Sequence, residues 1–243
     1  MAEKILHQEK KVKRHGFSVL AVHWTIAVST LALIFSGFGQ MPMYKRYRIA
    51  DLPGLGWSAD YSVTIVIHYL AAMLFLLAVV YHLVYHLARK DFDILPRRGD
   101  FGDSLKIIKA MVLGGKEPPC DKYLAEQRLA YAFVGGMILL ISATGVIKVL
   151  KNLPAFDFSG AFLVWVNDIH TFASMLLIFA IGAHLAAFLF KANRPLIKGM
   201  FTGKVELDYC RHRHCLWYEK LLAAEACRRP AAGSPPGVRK ETA

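Results

Sequence analysis

Four stretches of this 243-residue chain contain no Asp, Glu, Lys or Arg: His15–Tyr44, Tyr61–Ala88, Leu129–Ile147 and Ile169–Phe190. Each is about 20 residues or longer, the length a helix needs to cross a hydrocarbon core about 30 Å thick. In lipid every backbone N–H and C=O must find its partner within the chain, so runs of this length fold as helices. The expected fold is therefore all-α, an integral membrane bundle of four transmembrane helices at about 15–39, 61–87, 126–150 and 161–190. A hydrophobic content of 55% suits such a chain better than a soluble domain. The first window is too long for a signal-peptide core and lacks a small-residue cleavage site, so its N-terminal flank is expected to stay attached.

The formal charge of +12 suggests nucleic acid until its distribution is considered. Of 30 Lys and Arg, 25 lie in residues 1–14, 89–128 and 191–243, and 5 lie in the two loops on the other side, 41–60 and 148–160. The positive-inside rule puts both termini and the 89–128 loop in the cytoplasm. The basic excess then reflects topology and attraction to anionic membrane lipid. No basic–aromatic motif accompanies it, so no nucleic-acid partner is expected. The domain plan is a cytoplasmic basic lead-in at 1–14, solvated or lying on headgroups; a membrane domain at 15–222; and a disordered cytoplasmic tail at 223–243.

Within the 89–128 loop, Leu105, Ile108, Met111 and Val112 recur at helical spacing across Asp103–Leu113. That pattern fits an amphipathic helix, either in the interface plane or packed on the cytoplasmic ends of the bundle. All four cysteines fall on the predicted cytoplasmic side, where thiols stay reduced, and no C-x-x-C-H is present for covalent haem attachment. Cys210, His212, His214 and Cys215 crowd six residues, too tightly for a tetrahedral zinc, and are expected to be part of a basic tail.

Histidines stand out because ionisable groups inside a span are costly and usually functional. His170 and His184 share the last window, 14 residues apart. That separation is about 21 Å along a helix and about 40° short of four turns, so both imidazoles leave one side of it at two depths. His23 lies at the depth of His184, and His68 at the depth of His170. Two rows of facing neutral imidazoles are what two stacked b-type haems require. Small residues nearby, Gly37, Gly135, Gly136, Ala173, Ser174 and Gly182, offer room for the rings. His82 follows His68 by 14 residues as well, so spacing alone leaves either His23 or His82 as the partner of His184. His86, one turn nearer the surface, is expected to be an interfacial residue. Lys13, Arg14, Arg89 and Lys191 inside, and Arg46, Arg48 and Lys151 outside, are candidate partners for haem propionates. A haem-free anchor, or a transporter using the histidines for protons or metal, is the rival of a different class.

From about His15 to Leu222 the chain resembles the gamma subunits, of cytochrome b556 type, of membrane-bound formate dehydrogenases. The residues that carry the likeness are His23-Trp24-Thr25, Ile67-His68, Lys122-Tyr123 with Gln127, Thr144-Gly145-Val146-Ile147, Ile169-His170, His184, Ile197-Lys198-Gly199-Met200, Gly203-Lys204-Val205 and His214-x-x-Trp217-Tyr218. The resemblance implies two haem b groups, with His68 and His170 ligating an outer one and His23 and His184 an inner one. It leaves His82 as a packing or quinone-pocket residue. It implies a multi-pass protein of the bacterial cytoplasmic (inner) membrane. Electrons would come from an iron–sulfur subunit and a molybdenum or tungsten catalytic subunit and pass to a quinone, menaquinone in the family. The chain would thus be the electron-transferring, quinone-reducing subunit rather than the one that oxidises substrate. A related cytochrome serving a hydrogenase or thiosulfate reductase is the alternative. The family's quinone site uses an Asn, and the residue two after it, just before the third span. Leu124 and Glu126 stand there in this chain, which shifts the expected quinone contact to Tyr123, Glu126, Gln127 or His82.

Overall fold

The computed structural model describes residues 3–228. Nine helices run in chain order among them: α1 Phe17–Gly39, α2 Pro42–Arg46, α3 Tyr61–Arg89, α4 Asp100–Leu113, α5 Ala125–Leu150, α6 Gly160–Ala186, α7 Arg194–Thr202, α8 Leu207–Arg213 and α9 Cys215–Arg228. Four of these, α1, α3, α5 and α6, are long and apolar enough to cross a membrane. The protein is an all-α, multi-pass membrane bundle. The expected span limits hold to within a few residues, except that the last turn of the fourth relaxes into a 3-10 turn at Ala187–Leu189.

Local chemistry sets the ends. Asp60 accepts from the Ser62 backbone N–H at 2.8 Å and caps α3, and Ser159 accepts from the Phe162 N–H at 3.3 Å to cap α6. α4 is bracketed by Gly99 and Gly114, at φ of 93° and 77°, a conformation that side chains with a Cβ resist.

The spans pack as two hairpins, α1 on α3 and α5 on α6. Among the described residues no helix of one hairpin lies along a helix of the other. They meet through side chains, among them His23 with His184 and His82 with Tyr131. α4 packs on α5 outside the bundle, with Ile107, Ala110 and Ser104 buried. The buried Asp100–Arg128 ion pair ties the two helices together. The apolar face predicted from Leu105, Ile108 and Val112 points outward, while Met111 packs on the Ile107 cluster. The segment is thus an amphipathic helix packed on α5.

The lead-in departs from expectation. It is neither a solvated extension nor a strand of chain lying free on headgroups. Lys4–Leu6 (β1) and Lys11–Lys13 (β2) form an antiparallel sheet with Lys204–Glu206 (β3), in the order β1-β2-β3, with Val12 opposite Ile5 and Val205. Val12, Val205, Cys210, Trp217 and Leu221 are the buried core of this small plate, and Trp217 Nε1 donates to Glu3 at 2.7 Å. Three-residue strands carry too little periodicity to announce them, and β3 lies some 190 residues from its partner β2. Gly203 turns the chain into β3 at φ 72°, and a Cβ there would meet the His15 carbonyl oxygen at 2.6 Å. The segment expected to be disordered starts inside α9, which continues to Arg228; its remainder, 229–243, lies outside the described residues.

Candidate functional site

The four histidines of the two rows sit on α1, α3 and α6 and are held in different ways. His68, on α3, places Nδ1 3.0 Å from Ser36 Oγ on α1. Ser36 already donates to the Ala32 carbonyl at 2.7 Å, so its oxygen is left to accept the His68 Nδ1–H. His170, on α6, repeats the arrangement with Thr144 on α5. Nδ1 is 2.9 Å from Oγ1, and Oγ1 donates to the Leu140 carbonyl at 2.8 Å. Each hydroxyl therefore holds its imidazole as the Nδ1–H tautomer, with the Nε2 lone pair available to a metal.

A glycine follows each hydroxyl, and a Cβ on Gly37 or Gly145 would come within 3.6 or 3.5 Å of the histidine Cε1. Ser36-Gly37 opposite His68 and Thr144-Gly145 opposite His170 make the two hairpins near-repeats of one another. From the sequence Gly37 is expected only to give room for a ring. The paired hydroxyl–glycine steps in the first and third windows were the signal available.

The inner pair has no such brace. His23, on α1, and His184, on α6, face each other with ring centroids 6.5 Å apart. Among the described residues neither ring has a hydrogen-bond partner. Two imidazoles bonded through nitrogen at about 2.0 Å to one metal atom hold their centroids about 6 Å apart. The gap therefore fits a single iron. Trp24, next to His23, donates Nε1–H to the Met200 carbonyl at 2.9 Å and lies tilted 4.8 Å from the Phe201 ring, tying the N-terminal end of α1 to α7.

His82, the other candidate for the inner row, has Nε2 2.8 Å from Tyr131 Oη on α5. The nitrogen a metal would take is engaged there. His86 sends Nδ1–H to the Asp91 carbonyl at 3.0 Å, near the end of its helix, as an interfacial residue would.

The quinone candidates collect at the inner end of α5. Leu124 is 1% exposed in the core under α4, with Ile107, Cys120 and Ala125. Burial rather than a ligand explains an apolar residue there. Tyr123 lies against the Arg14 guanidinium and the Lys122 ammonium. Gln127 Oε1 accepts from the Leu124 N–H at 3.3 Å, capping α5. Glu126 Oε2 is buried without a hydrogen-bond partner. One turn beyond Gln127, Tyr131 brings His82 to the same corner.

Other candidates are taken up by the fold. Arg14 is buried, donating to the Lys122 carbonyl and facing His214 Nε2 at 3.3 Å, between Tyr123 and Trp217. It is a structural cation rather than a free propionate partner. Arg48 pairs with Asp51, and Arg89 lies over the Tyr85 ring. Of the small residues proposed to make room, Ala173 is fully buried in helix packing, whereas a Cβ on Gly135, Gly136 or Gly182 would meet nothing. Cys210 and His214 are fully buried in the plate core, and His212 turns away to the Asp208 carbonyl. The four do not converge on a metal, and they are not a solvated tail either. Burial pushes His214 down to about 3.

Residues 14–203 match the prokaryotic cytochrome b561 family. The chain is 27% identical over 232 residues to the cytochrome b556(Fdn) subunit of the nitrate-inducible formate dehydrogenase of Escherichia coli K12. The likeness covers 94% of this chain and the whole of that protein. The corresponding subunits of Escherichia coli O157:H7 and Shigella flexneri match to the same extent. Four membrane spans, histidines carried on both hairpins and a match over most of the length lead to one conclusion: the chain belongs to the prokaryotic cytochrome b561 family and is a membrane cytochrome b, whose cofactor is haem b.

Proposed function

We propose that the chain is the di-haem cytochrome b subunit of a formate dehydrogenase-like complex of the bacterial inner membrane. His68 and His170 hold the haem near the outer face, and His23 and His184 hold the haem near the cytoplasm, where both termini lie. An iron–sulfur subunit carrying electrons from a molybdenum or tungsten catalytic subunit is the donor. A quinone at the inner end of α5, menaquinone by the family likeness, is the acceptor. The observation that carries this reading is the facing of His23 and His184 across the two hairpins, with His68 and His170 each braced by a hydroxyl in its own hairpin and His82 engaged elsewhere.

When bound, haem b supplies a one-electron iron couple. The chain's own part is to place and insulate it. Ser36 and Thr144 fix the tautomer and plane of the outer imidazoles. The apolar spans keep water and bulk ions from the path between the rows. At the acceptor corner, Glu126 and His82 are the residues able to hand protons to a quinone, with Tyr123 and Tyr131 beside them. The excess of Lys and Arg at both termini and in the 89–128 loop supports the orientation.

The test is a reduced-minus-oxidised spectrum of the purified protein with a haem count, followed by identification of co-purifying subunits. Two haems per chain, reoxidation by a menaquinone analogue and a formate-oxidising partner are expected. Absence of a reduced b-type band would remove the basis of the assignment. A hydrogenase or thiosulfate-reductase partner would move the donor and leave the cytochrome intact.

A further inference from the structure

Lys148 lies on α5 one turn beyond Thr144, on the side that meets α6. Its Nζ donates to Asn167 Oδ1 at 3.0 Å, and Asn167 stands three residues before His170. Thr144, Gly145 and Lys148 on one helix thus meet Asn167 and His170 on the next. A lysine near the end of a span is ordinarily a headgroup anchor that runs its ammonium out to water. Here the Asn167 amide oxygen draws the ammonium across to α6. Among the described residues no carboxylate pairs with it. Lys148 thus stands one turn from the hydroxyl that holds His170 and is hydrogen-bonded to a residue one turn before His170 itself. An unneutralised positive charge at the edge of an apolar site is screened far less than one in water.

We propose that Lys148, positioned by Asn167, raises the reduction potential of the haem held by His68 and His170. The electron arriving from the iron–sulfur donor adds one negative charge to that centre, and a nearby cation stabilises the reduced form. The outer haem becomes the stronger acceptor on the face where electrons enter, while the inner haem, one helix-length of four turns away, is left alone. The proposal rests on the haem assignment above.

The experiment is an optical redox titration of the whole protein with both haems bound, in wild type and in Lys148→Met, Lys148→Arg and Asn167→Asp. The His170→Ala variant identifies which midpoint belongs to the outer haem. Lys148→Met lowers that midpoint by the equivalent of about a tenfold change in reduced-to-oxidised ratio, ~59 mV for one electron. Asn167→Asp neutralises the ammonium in place, so it lowers the same midpoint even if Lys148→Met does not assemble. Lys148→Arg keeps the charge and the midpoint. An unmoved outer midpoint in a charge-removing variant that retains both haems overturns the proposal, as does an equal shift of both midpoints. Failure of the underlying haem assignment would look different, with no b-type band in the wild type.

Discussion

The outer and inner histidine pairs are held by different means. Each outer imidazole is braced within its own hairpin: the hydroxyl of Ser36 or Thr144 takes the Nδ1–H, and Gly37 or Gly145 lets the ring lie close. The inner imidazoles have no brace in the spans. Like the outer pair they come from different hairpins, but the end of α1 that carries His23 is fastened through Trp24 to α7 at the plate. The outer pair is therefore a property of two helix–helix contacts. The inner pair adjoins, through Trp24, the short helix α7 that packs on the sheet.

The largest effect expected is from the ligands themselves. His170→Ala or His68→Ala should remove one haem and leave the other, halving the b-type absorbance while the protein stays in the membrane. His23→Ala or His184→Ala should remove the complementary haem. If any of the four left the haem count at two, the pairing would be broken.

The braces come next. Ser36→Ala or Thr144→Ala deletes the partner that sets the imidazole tautomer, a loss that usually costs about 10–100-fold in affinity. Haem titration should show the outer site weakened to that extent and the inner site unchanged. An equal effect on both would show that the braces serve the bundle and not the site.

Acid should separate the pairs in the opposite sense. His15 and His214, beside and within the plate, are both pushed down to about 3 by burial. Each stays neutral in the folded protein, while in the unfolded chain it takes up a proton near pH 6.5. Between about pH 6.5 and 3 the unfolded plate binds more protons, so stability falls as the pH drops, by up to about 1.4 kcal/mol per unit for each group. Lowering the pH from 7 to 4 should release the inner haem before the outer one, followed as loss of the b-band in steps. Simultaneous loss would argue that the inner row does not lean on the plate.

The smallest effect is expected at His82. His82→Phe removes the hydrogen bond to Tyr131 and should change the haem count less than twofold, while slowing reoxidation by quinone. Loss of the inner haem would transfer ligation from His23 to His82.

Much of this was visible in the chain alone. Four uncharged windows dictate four spans because the bilayer leaves backbone no other way to be satisfied. The 14-residue step from His170 to His184 dictates two depths on one face, since helix geometry is rigid. Spacing leaves both His23 and His82 open, because both lie at the right depth; in the fold His23 faces His184 while His82 Nε2 meets Tyr131. Leu124 looked like a gap in a quinone site and is a core residue under α4, a contact that local sequence does not encode. Tertiary structure alone decided that Ser36 and Thr144 accept from the histidines, that Lys148 reaches across to Asn167, and that the lead-in joins the tail in a sheet. Span length and helical phase follow from short-range rules acting along one segment, whereas each of these contacts joins different segments, and only the folded packing brings their atoms within hydrogen-bonding distance.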